Sequence, residues 1–204
     1  MPKVTQEHTD ARRRQILSAA LRCFARDGFH GATMQDIFRE ADLSPGAVYS
    51  YFKGKDELIA AITLTIVGFI AESAALFDEP LPEGRLRRPG EALSELIGLY
   101  RAVEFGTAAE RARVFPHLIG EQQRNPAVLA AARASLDELR ASFAQLARAA
   151  KERGELDLAI DPEALGRMPI AMLHGMLIQL ALYGDELDLD AYARAAAQLL
   201  DGPA

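Results

Sequence analysis

Tryptophan is absent from this chain of 204 residues, cysteine occurs once, and aromatic residues make up only 7%. The lone Cys23 excludes an internal disulfide. It falls near Ala20 and Phe24 in a helical pattern, where a buried structural thiol is expected, and nothing around it argues for the exposed, low-pKa thiol of a redox sensor. The amino end lacks a signal peptide's apolar core. The longest apolar stretch on a helix, Leu58 to Ile70, is interrupted by Thr63, Thr65 and Gly68, and it reads as too short and too mixed to span a membrane. A cytoplasmic protein with no membrane partner is the expectation. Alternating runs of Val, Ile and Thr are missing, so no sheet is expected. There is no Gly-rich phosphate loop, His-Glu zinc motif or nucleophile elbow. His8, His30, His117 and His174 are scattered without metal-ligand spacing, so no metal and no cofactor is expected. The many carboxylates stand beside arginines on helix faces, where solvated pairs are expected. An enzyme has no motif behind it.

What is present is helix-forming sequence rich in Ala, Leu, Glu and Arg. The net charge of −6 argues at first against nucleic acid. Its distribution reverses that reading. Residues 1–60 hold nine Lys+Arg against eight Asp+Glu, a net of +1, while residues 61–204 hold 14 against 21, a net of −7. Lys3, Lys53 and Lys55 lie in the first part, with the cluster Arg12-Arg13-Arg14. Only a docking face has to attract phosphate, so a near-neutral head on an acidic body is compatible with DNA binding. Each arginine of the cluster fits a phosphate contact or a solvated helix start equally well.

The fold class read from the pattern is all-α. A first helix is expected over about 10–27, with Ile16, Leu17, Ala20, Leu21 and Phe24 as its apolar stripe and Gly28 as its end. A long helix from about Lys55 to Phe77 follows the short ones. Residues 78–90 carry three prolines and two glycines and form the clearest loop. Further helices are expected at about 90–107, 109–123, 126–153, from Asp161-Pro162-Glu163 to about Tyr183, and at about 188–200. Pro169, inside the helix that ends near Tyr183, is expected to kink it.

Residues 33–58, TMQDIFREADLSPGAVYSYFKGKDEL, are the most informative stretch. Thr33 is a good N-cap, and Asp36 three residues on approximates a capping box. Ile37 and Ala41 share a helix face. Asp42-Leu43-Ser44 makes a short turn, Ser44 caps a second helix, and Pro45 occupies its first position, where the missing N–H costs nothing. Val48 and Phe52 point inward, leaving Ala47, Tyr49, Ser50 and Tyr51 outward. Gly46 and Ala47 are small enough to let the backbone approach base edges, and hydroxyls on Ser50 and the tyrosines suit phosphates or bases. Lys55 opposes the dipole at the start of the next helix, so a phosphate contact explains it better than helix stability does. A solvated surface lysine is the plainer alternative.

The segment resembles the DNA-binding domain of the TetR family of bacterial regulators. Thr33, Ile37, Ala41, Leu43, Ser44, Gly46, Val48, Tyr49, Tyr51, Phe52, Lys55 and Leu58 carry the match. The preceding helix adds Arg14-Gln15-Ile16-Leu17, Ala19-Ala20, Phe24 and Gly28-Phe29. Asp42 stands where the family's turn usually has Gly, Phe38 where a small residue often packs, and Gly54 where a better N-cap is common. The resemblance implies a three-helix, helix-turn-helix head over residues 1–54 and a helical ligand-binding and dimerisation body over residues 55–204. The function implied is that of a ligand-responsive regulator, a repressor on a near-palindromic operator. An activator on the same fold, or a helical binding protein that has lost DNA recognition, are the rivals. Thr33, Gln35, Ser44, Pro45, Gly46, Ala47, Tyr49, Ser50, Tyr51 and Lys55 are the expected DNA-binding residues, with Met34 a weaker candidate.

The body carries two further expectations. Met168, Met172 and Met176 recur every four residues, and with Leu173, Leu177, Leu180 and Ala181 they make a helix apolar over much of its circumference. Packing against its own copy would cover it, giving a homodimer interface of Met168, Leu173, Met176, Leu177 and Leu180; an ordinary core helix is the alternative. The resemblance favours the dimer, since TetR-like proteins usually pair through their last two long helices. It also implies a pocket for a small, apolar effector, for which Phe69, Tyr100, Phe105, Phe115, His117, Met172, His174 and Gln179 are candidates. Plain core packing explains the same aromatic and Met spacing.

Overall fold

A computed structural model of the chain describes residues 6–157 and 159–202; Lys3 lies outside them. Among the described residues the secondary structure is all helical. Helix α1 (Gln6–Gly31) runs through Gly28, whose φ of 69° marks the kink that sequence reads as the helix end. Ile16, Leu17, Ala20, Leu21 and Phe24 are all buried, as their spacing requires. In α2 (Met34–Ala41) the capping box is complete: Thr33 Oγ1 accepts from the Asp36 N–H, and Asp36 accepts from the Thr33 N–H. Asp42 closes α2 in the left-handed region at φ 53°, one of the few conformations where Asp substitutes tolerably for Gly. Ser44 caps α3 (Pro45–Tyr49), with Pro45 in the first turn as expected. Gly54 offers α4 (Lys55–Asp78) no side-chain cap; Glu57 accepts the Lys53 N–H at 2.6 Å just upstream.

The body follows as α5 (Pro89–Ala102), α6 (Ala108–Gln122), α7 (Pro126–Glu152), α8 (Pro162–Leu165), α9 (Met168–Tyr183) and α10 (Leu189–Asp201). Thr107, Asn125, Asp161 and Asp188 cap α6, α7, α8 and α10 through their side chains. Sequence reading joins α8 and α9 into one helix kinked at Pro169. The chain instead breaks at Gly166-Arg167, and Pro169 falls in the first turn of α9, where it costs no hydrogen bond. Arg87, buried in the loop after α4, donates to the carbonyls of Leu76 and Glu79 and pairs with Glu95 at 2.5 Å. A cation thus satisfies the end of α4, where the helix dipole is negative.

Helix α4 packs along α7, α10 on α5, and α6 on both α9 and α1. Two large cores result. The first gathers α1, α2, α3 and the start of α4, and also Phe105, Val114 and Leu118 from the body. The second holds Ala74 and Phe77 of α4 with Leu93, Ile97, Phe143, Leu173 and Leu177. A division at residues 54 and 55 therefore cuts the chain at the start of α4, while the head's core reaches into α4 and α6. Over an 18-residue window α4 is long and apolar enough to cross a membrane, contrary to the reading of Leu58 to Ile70 as too mixed. In this fold its apolar residues fill the two cores instead, which is how a core helix behaves.

Two stability predictions follow from these contacts. Thr33→Ala removes the hydroxyl that accepts from the Asp36 N–H and leaves only the Thr33 N–H to Asp36 half of the capping box, and is expected to cost about 1 kcal/mol in urea unfolding; an unchanged midpoint would contradict the cap. Partial burial alone would raise the Glu91 pKa, but the Arg85 guanidinium at 2.8 Å, the Arg88 N–H and both positive charges outweigh it, holding the pKa at about 2 against an ordinary 4.5. A carboxyl depressed in the folded state stabilises above its unfolded pKa and loses that contribution as pH falls through the folded one. Glu91→Gln should therefore be less stable than the parent at neutral pH, with the gap closing between about pH 4.5 and 2. A gap that stays constant across that window would show that the pairing contributes nothing.

Candidate nucleic-acid interface and body cavities

Helices α2 and α3 meet across the Asp42 turn, with Ile37, Ala41 and Val48 buried between them and α1. Gln15 Nε2 donates to the Ala41 carbonyl at 2.7 Å, and Arg22 pairs with Glu40 at 2.5 Å, so polar bonds also tie α1 to α2. The outer surface of α3 is what this packing leaves over. Ser44, Pro45, Gly46 and Ser50 are exposed, Ala47 is half-buried, and Tyr49 stands 49% exposed. A Cβ added at Gly46 would meet nothing within 4 Å, so the glycine keeps an outward surface low rather than relieving an internal clash. Phe38 fills the space beside α3 by setting its edge against the Tyr49 ring, with centroids 5.3 Å apart, and this holds the tyrosine in place. The helix is shorter than its sequence suggests: Tyr51 and Phe52 both donate back to the Val48 carbonyl in a turn. Tyr51 is half-buried against the head's core, and Gln35 and Thr33 are exposed on α2.

Lys55 is half-buried, and its Nζ donates to the Ala32 carbonyl at 3.2 Å, fixing the ammonium beside the start of α2. Arg13 of the basic cluster sits over the Phe52 ring at 5.1 Å, a contact that residue spacing alone does not reveal. Burial raises the Cys23 thiol pKa, with the Arg26 charge opposing; this is the expected inert core thiol.

The body holds two small, partly open cavities. One, of about 50 Å³, is lined by Phe69, Tyr100, Phe105 and Phe115 from the candidate set, together with Ile66 and Arg111. The other, of about 70 Å³, shares Ile66 and Phe115 with it and is also bounded by His174 and Gln122. The Phe115 and His174 rings lie 5.1 Å apart, and burial pushes the His174 pKa down, favouring a neutral ring. Three candidates lie elsewhere. His117 is exposed and packs on Phe29, because two residues along a helix from Phe115 is nearly the opposite side. Met172 is part of the core packing, with its carbonyl accepting from Tyr192, and Gln179 is exposed. Arg111 was missed because a lone arginine in an amphipathic helix reads as surface. A larger open cleft of about 330 Å³, between the start of α4 and the α6–α7 turn, is lined by Asp56, Glu121 and Arg124 among others.

Four of the five expected interface residues on α9 are corrected by burial; Met168 is exposed. Leu173, Met176, Leu177 and Leu180 are at most 7% exposed and belong to the chain's own body core. Helix α9 is apolar over most of its circumference, so sequence said little about which stripe α5 and α6 would cover. The uncovered large hydrophobic residues are Met168, Ile178 at 44%, Leu182 at 73% and Tyr183 at 59% on α9, and Leu199 at 77% on α10.

A family model for bacterial regulatory proteins of the tetR family matches residues 16–62, and one for the tetracyclin repressor-like C-terminal domain matches residues 89–199. The HTH-type transcriptional regulator UidR of Escherichia coli is 28% identical over 175 residues, 84% of this chain and 83% of that protein. The HTH-type transcriptional repressor Rv1474c of Mycobacterium tuberculosis is 45% identical, but over only 62 residues, 30% of this chain and 33% of that protein. Among solved structures, Salmonella enterica GusR is similar with a TM-score of 0.63 and 27% identity, covering 98% of both chains. With the second model alone spanning more than half of the sequence, and the first falling on the helix-turn-helix, the chain belongs to the TetR family of bacterial regulatory proteins.

Proposed function

We propose that this protein is a homodimeric transcriptional repressor of the cytoplasm, without enzymatic activity, that leaves a near-palindromic operator when a small effector enters the body. In this reading each subunit lays α3 in the major groove. Ser44, Tyr49, Tyr51 and Lys55 clamp phosphates, while Gln35, Gly46, Ala47 and Ser50 face base edges, with Thr33 and Pro45 setting the approach of α2 and α3. The 45% identity across the head to a protein named a repressor supports this.

The observation that carries effector control is the wall shared by cavity and head. Phe105 belongs to the core beneath α1 and also lines the 50 Å³ cavity; Ile66 and Val103 pack against that core and line the cavity as well. A ligand that displaces these side chains pushes on the head directly and on the shared helix α4. Coupling of about 1–3 kcal/mol is enough to empty an operator. Dimerisation is supported by the open apolar residues Met168, Ile178, Leu182 and Leu199, which a second copy would cover.

DNA selected from a random pool by the purified protein, followed by a titration of binding against salt, tests the head. Lys55→Ala is expected to weaken binding to all selected sequences alike and to lower the salt slope by about one unit; an unchanged slope removes Lys55 from the phosphate contacts. For the interface, Ile178→Glu with Leu182→Glu should give a folded monomer in sedimentation, since both side chains are exposed in the single chain. A dimer that survives both charges must pair elsewhere.

A further inference from the structure

Two guanidinium nitrogens are buried without an acceptor among the described residues, Nε of Arg111 and Nε of Arg140. Arg140 lies in ion pairs with Asp137 and Glu163. Arg111 differs. It is 4% exposed, and its terminal nitrogens donate to neutral backbone carbonyls of Tyr100, Val103, Phe105 and Gly106. Its guanidinium carbon stands 4.7 Å from the Tyr100 ring centroid. Glu110, the carboxylate whose charge acts on it, is engaged by the Thr107 N–H at 2.7 Å. Carbonyl dipoles and the Tyr100 side chain solvate part of this cation, yet a buried charge without a counterion is costly until an anion joins it. Burial accordingly pushes the Arg111 pKa below its ordinary value.

The same side chain borders the cavity whose other walls are mostly hydrocarbon: Ile66, Phe69, Val103, Phe115 and Leu177. That space of about 50 Å³ equals roughly two water molecules by liquid volume, the scale of one small head group. Beyond Phe115 lies the second cavity of about 70 Å³, apolar apart from His174, Gln122 and Thr63. Ile66 and Phe115 line both, so the two cavities adjoin, with Arg111 bordering the first and the His174 ring bordering the second. We infer that the effector is an organic acid, its carboxylate pairing with the Arg111 guanidinium that borders the first cavity and its apolar tail running past Phe115 toward His174. This inference rests on the effector reading of the cavity. An amine would bring like charges together. An amide could accept the free N–H but would leave the charge without a counterion, whereas a carboxylate supplies both.

Calorimetric titration of the DNA-free protein with hexanoate, octanoate and phenylacetate, each beside its primary amide, tests it. The acids are expected to bind about tenfold or more tightly than their amides, the difference one charge-assisted hydrogen bond makes. Arg111→Gln should erase that preference, and Thr65→Trp, placed at a solvent-exposed wall residue, should weaken acids and amides alike. If Arg111→Gln does not fold, the acid–amide comparison on the parent protein still decides. Amides that equal the acids overturn the acid proposal. The cavity reading survives that result if Thr65→Trp abolishes their binding. Absence of binding by every probe overturns both.

Discussion

One helix belongs to two cores, and most of the molecule follows from that. Leu58 and Ile62 of α4 are fully buried under the head, and Phe77, five turns on, is fully buried in the body. At 1.5 Å per residue the 24 residues of α4 span about 36 Å. Interiors packed at crystal density do not deform smoothly, so a side chain forced aside in one core moves the rod rather than the gap. Helix α6 adds a second tie, because Val114 and Leu118 cross into the head's core while Phe115 faces the cavities. A ligand-sized disturbance between α4 and α6 thus lies on the mechanical path between body and head.

The loop between α5 and α6 shows how tightly that path is built. Gly106 has φ 63°, and a Cβ there would strike Leu21 of α1. Only glycine lets the loop come this close to the head helix. Arg111 holds the same loop by three of its carbonyls and the end of α5 by a fourth. One guanidinium therefore ties α6, the loop that touches α1 and the cavity wall together. Charge follows the same division of labour: the head is near neutral, with described basic residues on α1, on α2 and just after α3, while the acidic excess stays in the body.

The head was legible because its determinants are local. Thr33, Asp36, Ser44 and Pro45 act within a few residues, through caps whose spacing is printed in the sequence, and Ile37, Ala41, Val48 and Phe52 needed only helical period to be assigned inward. The body was legible in helix number but less in facing. Met168 to Tyr183 is apolar over most of its circumference, so periodicity said little about which stripe its own chain would cover; that depended on where α5 and α6 pass. The break at Gly166-Arg167 was hidden for a similar reason, since a proline reads as a kink inside a helix or as a first-turn residue according to a boundary that tertiary packing sets. Of the cavity candidates, Phe69, Tyr100 and Phe115 on α4, α5 and α6 line the space, and His117 does not, because two positions of helical rotation separate a cavity wall from solvent.

A buried arginine is an expensive way to close a loop. Neutral side chains could cap the same carbonyls, and replacing buried ions with apolar groups is often neutral or stabilising. The cost is lower if the ion has a second use, and the position of Arg111 supplies one: its chain runs along a cavity wall whose remaining surface offers almost no polar partner. Structural and recognition roles then reinforce each other. An anion at the guanidinium would compete for the charge that the carbonyls of Val103, Phe105 and Gly106 share, in the loop whose Gly106 lies close against Leu21. In that arrangement the binding energy of an acid is spent where head and body meet, and no separate relay is needed to carry it there.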